Sequence, residues 1–209
     1  MNFKSRNVVM WLAGINIALF LVQIILPAFK TNFMLISEDV FTRPWILVTH
    51  MFLHGGFAHL LFNLYALVLF GGLLERKIGP KRFLMVYFLS GIIAGFVASF
   101  FYRASLGASG AIMGILAALI VLMPNLRVLF FFAIPMPFWV AGVVWALLDI
   151  GGIFFPSGVG NIAHLVGMAV GFIYGFYLKK QKKQFNRSFS SRIHMTREDI
   201  NNYISKGRI

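Results

Sequence analysis

The sequence predicts an all-α, polytopic membrane protein of six transmembrane helices with both termini in the cytoplasm. Three observations carry that prediction. First, 59% of the 209 residues are hydrophobic and 12% are charged, against roughly 45–50% and about 25% in a soluble domain. The mean hydropathy is +0.83, which is more apolar surface than a soluble fold of this size can hide. Second, six apolar stretches of 18–20 residues run along the chain, each long enough for an α-helix to cross a hydrocarbon core of about 30 Å. Third, Lys and Arg are distributed very unevenly between the alternate connections.

The stretches are residues 8–27, 57–74, 83–102, 104–123, 138–155 and 160–178. An outer-membrane barrel would show ~10-residue alternating segments instead. The first stretch follows Lys4 and Arg6 as a signal peptide would, but it is too long for an h-region and lacks an Ala-x-Ala end, so it reads as retained. With six spans, one side collects 16 cations and the other only Lys30, Arg43 and Arg103. That asymmetry puts both termini inside. It also accounts for the net charge of +13 without nucleic acid, which is not expected as a partner. The membrane domain is therefore residues 1–178. The basic tail, residues 179–209, carries Lys179, Lys180, Lys182 and Lys183 and should lie on anionic lipid headgroups. Thr196-Arg-Glu-Asp199 offers a weak cap for a terminal helix. The connection 28–56 is long and semi-apolar, as in a loop that folds into the outer interface.

There are no cysteines, so disulfides and thiolate chemistry are excluded. No His-Glu-x-x-His run is present, and His50, His54 and His59 have no nearby carboxylate, so no metal and no cofactor are expected. Asp149 is the single aspartate within a span, whereas an aspartyl intramembrane protease needs two.

Polar groups inside a span are costly, and they are functional or structurally paired. His59 and Asn63 share one face of the second span. Ser109 lies in the fourth and His164 in the sixth, each within about the first one or two turns, and Asp149 lies in the fifth. Singly, each has an ordinary reading: a membrane Ser bonds back to its own helix, and a His or Asn holds helices together. Topology changes this, because spans two, four and six all run inward. A hydroxyl, two imidazoles and an amide then share the outer leaflet, on the order of 5–10 Å below the surface at 1.5 Å per residue.

That set fits acyl transfer. A serine needs an adjacent base, and a neutral imidazole serves at pH 7. Asn63, His59 and the backbone N–H of Ser109 are candidate oxyanion donors. Gly107 and Gly110 flank Ser109, and the Gly110-x-x-x-Gly114 step is matched by Gly167 and Gly171 on span six, a spacing that lets helices approach closely. The soluble Gly-x-Ser-x-Gly elbow is absent, since Ala111 takes the last position.

These residues resemble the rhomboid family of intramembrane serine proteases, over about residues 45–178. The run His50…His54…His59-Leu-Leu-Phe-Asn63 is similar to the family's second-span pattern, and Gly71-x-x-x-Glu75-Arg76 to the end of that span, where the acid is structural. Gly107-Ala-Ser109-Gly110 resembles the nucleophile motif, and Ala163-His164-x-x-Gly167 the base motif. The resemblance implies a Ser109–His164 dyad without a third acid, oxyanion stabilisation by Asn63 and His59, and cleavage of transmembrane proteins near the outer face. It suits an integral protein of a bacterial inner membrane. Two positions depart from the pattern. Trp45 is followed by Ile46 rather than Arg, which bears on loop anchoring. Met113 replaces an aromatic that often stacks on the base, which bears on the orientation of His164. A non-catalytic client binder on the same fold is the alternative. Asp149 is expected to bond backbone or polar groups near the outer end of its helix, because the spacing of spans five and six does not force it onto His164. A buried carboxylate without a cation also tends to be protonated.

Overall fold

The computed structural model describes residues 7–130, 134–155, 158–190, 201–202 and 204–205. Lys4, Arg6 and the expected cap at Thr196–Asp199 lie outside the described residues.

Helix α1 (Val8–Ile25) is apolar throughout except Asn16 and Gln23. It has no cap of its own; both carboxylate oxygens of Glu75 accept its first N–H groups, from Val8 at 3.0 Å and Val9 at 3.1 Å. The long connection is ordered into α2 (Pro27–Phe33), β1 (Leu35–Ile36) and α3 (Ile46–Thr49). Next come α4 (Phe57–Ala66), a π-helical turn at Leu67–Gly71 and α5 (Gly72–Ile78), which form one rod. Beyond it lie α6 (Pro80–Ala98), β2 (Ala104–Ser105), α7 (Ser109–Leu122), the hairpin β3 (Arg127–Phe130) and β4 (Ile134–Pro137), α8 (Phe138–Phe154) and α9 (Asn161–Ser190).

Among the described residues four helices are long and apolar enough to cross a membrane: Val8–Ile25, Phe57–Ile78, Pro80–Ala98 and Asn161–Gln184. The other two expected spans are shorter, at 14 residues for α7 and 17 for α8. The fourth stretch loses its first five residues for a local reason. Ala104 and Ser105 pair antiparallel with Ile36 and Leu35, and Gly107 has φ +126°, which ends any helix reaching back from Ser109. The two short sheets are additions to an otherwise helical expectation.

Helix α7 is the centre of the bundle, with every residue from Gly110 to Leu119 buried. An all-round apolar helix must be enclosed on all sides, and α6 and α9 do most of the enclosing. Outer helices do the reverse, exposing Trp11, Phe62, Leu147, Phe154 and Ile173. Large apolar side chains turned outward on these helices suit lipid as the solvent. The chain is an integral membrane protein.

Candidate active site

Ser109 is the first residue of α7, and two features hold it there. The N–H of Gly107 donates to the His50 carbonyl at 2.9 Å, tying the turn before α7 to the long connection. The positive φ of Gly107 then redirects the chain into the helix. A side chain at this position is excluded twice over, since a Cβ would also lie 2.8 Å from Nε2 of His59. The role of Gly107 is thus turn geometry and clearance for His59 rather than the helix packing expected of it.

His59 stands in the first turn of α4. Its Nδ1 accepts the Gly55 N–H at 3.2 Å, so the neutral ring carries its proton on Nε2. That N–H is a donor beside Gly107, on the side of Ser109. Asn63, one turn on, donates from Nδ2 to the His59 carbonyl at 2.8 Å, which fixes its amide and leaves a second N–H.

His164 lies in the first turn of α9, in a helix that meets α7 backbone to backbone. A Cβ at Gly167 would sit 2.1 Å from the Gly110 carbonyl oxygen, and one at Gly171 2.1 Å from that of Gly114. Gly114 in turn faces Ser90 of α6. Ser109, His164, His59, Asn63 and Gly107 line a single cavity of about 1210 Å³. Its walls include Phe62 and Ala66 of α4 and Ile153 of α8.

The structure departs from expectation at Asp149. Its Oδ1 and Nδ1 of His164 share a hydrogen bond of 2.9 Å, and both side chains are nearly buried. Sequence spacing left this contact open; the helix register closes it.

The connection supporting the site carries two further histidines. Burial lowers His50 to about 4. Burial, then the neighbouring His59, lowers His54 to about 4. Both are neutral at pH 7. His50 spends its Nδ1 on the Ile46 carbonyl at 2.9 Å. The backbone of His54 is clamped by Gln23, whose Oε1 accepts its N–H at 3.0 Å while Nε2 donates to its carbonyl. Among the described residues no group of three His, Cys, Asp or Glu side chains is placed to hold a metal ion.

A family model for the Rhomboid domain matches residues 42–181. The chain belongs to the rhomboid family. Its rhomboid domain thus begins in the long connection, takes in every cavity residue named above, and ends within α9. The motif resemblance is borne out at the level of family. Similar proteins include Rhomboid protein 1, mitochondrial, of Saccharomyces cerevisiae, 34% identical over 195 residues, 85% of this chain and 56% of that protein. Rhomboid protease GluP of Bacillus subtilis is 38% identical over 130 residues, 61% of this chain and 25% of that one. Rhomboid protease GlpG of Haemophilus influenzae is 31% identical over 147 residues, 70% and 76% of the two chains. The chain therefore spans about half of the yeast protein and a quarter of GluP.

Three contacts had no signature for their partners: Glu75, expected as a structural acid, on the start of α1; Gln23 on His54; and the hydroxyl of Tyr102 accepting the Ile162 N–H at 3.1 Å. Each joins positions distant in sequence, where no periodicity reports the pairing. Asp149 did leave a signal, as a lone carboxylate in an apolar helix.

Proposed function

We propose that this rhomboid is an intramembrane serine endopeptidase that cuts transmembrane proteins near the outer face, with Ser109 as nucleophile and His164 as base. The observation that carries the reading is the meeting of Ser109, His164, His59 and Asn63 in one cavity of an apolar bundle. In this reading the proton of Ser109 Oγ passes to Nε2 of His164 as Oγ attacks the scissile carbonyl carbon. The oxyanion is met by Nε2–H of His59, the second N–H of Asn63 and the backbone N–H of Ser109, which heads its helix and lacks an intrahelical partner. Collapse breaks the C–N bond, and His164 returns the proton to the leaving nitrogen. Water then repeats the sequence and frees the acid.

All six helices cross in this reading, with both termini cytoplasmic. A 14-residue α7 is about 21 Å long, so it falls short of a core of about 30 Å and leaves Ser109 below the outer surface. The membrane domain is residues 1–178, and the tail from Lys179 rests on anionic headgroups. The membrane is a bacterial inner membrane, and vesicle fractionation checks this against the mitochondrial location in the yeast relative's name.

Labelling by a serine-reactive fluorophosphonate in detergent, together with cleavage of a transmembrane substrate in proteoliposomes, tests the chemistry. Native protein should label and cleave, and Ser109→Ala should do neither while keeping its thermal midpoint. Turnover by Ser109→Ala within tenfold of native would remove the serine from the mechanism. A native chain that binds but neither labels nor cleaves would be a client binder.

A further inference from the structure

We infer that Asp149 is a positioning residue for His164, holding the imidazole in the tautomer and orientation that a base for Ser109 requires. This rests on the catalytic reading above. The argument begins with helix register. On α8, Asp149 and Gly152 are three apart and share a face; on α9, Asn161 and His164 do the same. The chain turns back between these helices, so the two pairs meet in reverse order. Gly152 has no side chain to hold α8 away: a Cβ there would lie 2.5 Å from the Asn161 amide nitrogen. One turn deeper, Asp149 Oδ1 and His164 Nδ1 come to 2.9 Å.

With Asp149 ionised, its oxygen only accepts, and Nδ1 of His164 is then the protonated nitrogen of the neutral ring. Nε2 is then left with its lone pair, and the same ring lines the cavity with Ser109. Among the described residues the other oxygen, Oδ2 of Asp149, is buried without a hydrogen-bond partner, so the imidazole is the group on which the side chain is spent. When Nε2 takes the serine proton, the resulting imidazolium is stabilised by the carboxylate on its far side. Met113, one turn after Ser109, offers no ring to stack on His164, and the bond from α8 supplies the orientation in its place.

Asp149→Asn tests this, because its amide keeps the shape and can donate to Nδ1, which drives the proton to Nε2 and silences the base. The expected result is a fall in kcat of about 10²–10⁴-fold on a transmembrane substrate, with KM within threefold of native. A fall of less than tenfold, or a loss that resides in KM, overturns the inference. Nitrogen-15 NMR of histidine-labelled native protein gives a second readout that needs no variant. The neutral His164 ring should carry its proton on Nδ1, and a ring protonated on Nε2 overturns the inference even where Asp149→Asn fails to fold. Ser109→Ala, assayed in parallel, separates the two claims. If it is inactive while Asp149→Asn retains more than a tenth of native kcat, only the role of Asp149 is lost. If it remains active, the catalytic reading itself is lost.

Discussion

Asn63 shows how one side chain can be structural and reactive at once. Its Nδ2 already donates to the carbonyl one turn back, so half of its donor capacity goes to fixing its own orientation. Asn63→Ala should therefore lower kcat by about 10²-fold, the lower end for losing one oxyanion donor, because His59 and the Ser109 N–H remain. The bond lost is local to one helix, so stability should change by less than ~1.5 kcal/mol. Steady-state cleavage and a detergent melt of the same preparation check both numbers. A large drop in midpoint with kcat intact would make Asn63 a helix-packing residue alone. At this scale the candidate groups were legible because a polar side chain in an apolar run is conspicuous. What each one bonds was not, since Asp149 and His164 lie on different helices.

At the scale of the element, the glycines of α7 and α9 set the distance between the proposed nucleophile and base. Gly171→Val would drive a side chain into the Gly114 carbonyl. Backbone cannot rotate aside as a side chain can, so the cost should be at least the ~1–3 kcal/mol of an overpacked core. Cleavage should fall with it as α9 is pushed off α7. Gly14 of α1 is the matching control. Among the described residues nothing lies within 4 Å of a Cβ there, and Gly14→Ala should be neutral or stabilise by roughly 0.5–1 kcal/mol, the usual gain within a helix. Differential scanning fluorimetry of both variants separates contact from propensity. The spacing of these glycines was readable in the chain. The shortening of α7 was not, because it depends on Leu35 and Ile36 pairing with residues 104–105, some seventy positions away.

For the whole molecule, the long connection makes stability pH-dependent. His50 and His54 titrate near 4 in the fold, against 6.5 when exposed. The unfolded chain thus binds more protons below pH 6.5. The stabilisation is fully present above that value, is lost progressively as pH falls from 6.5 to about 4, and changes no further below it. Each residue accounts for ~3 kcal/mol across that window. The detergent melting point should fall over the same interval. His54→Phe, which fills a fully buried site, should roughly halve the slope. An unchanged slope would place the acid sensitivity elsewhere.

By itself the sequence determined the solvent, the family and the candidate reacting groups. Those follow from composition, from short motifs and from polar residues set in apolar runs, all of which are local properties of a chain. Tertiary structure alone decided how these groups are held: His50 bonded to Gly107, Glu75 placed over the start of α1, and Asp149 brought onto His164. The physical reason is that a buried polar group must find a partner wherever packing brings one. Packing here was set by glycine contacts between helices and by two short strand pairings, neither of which any single segment specifies.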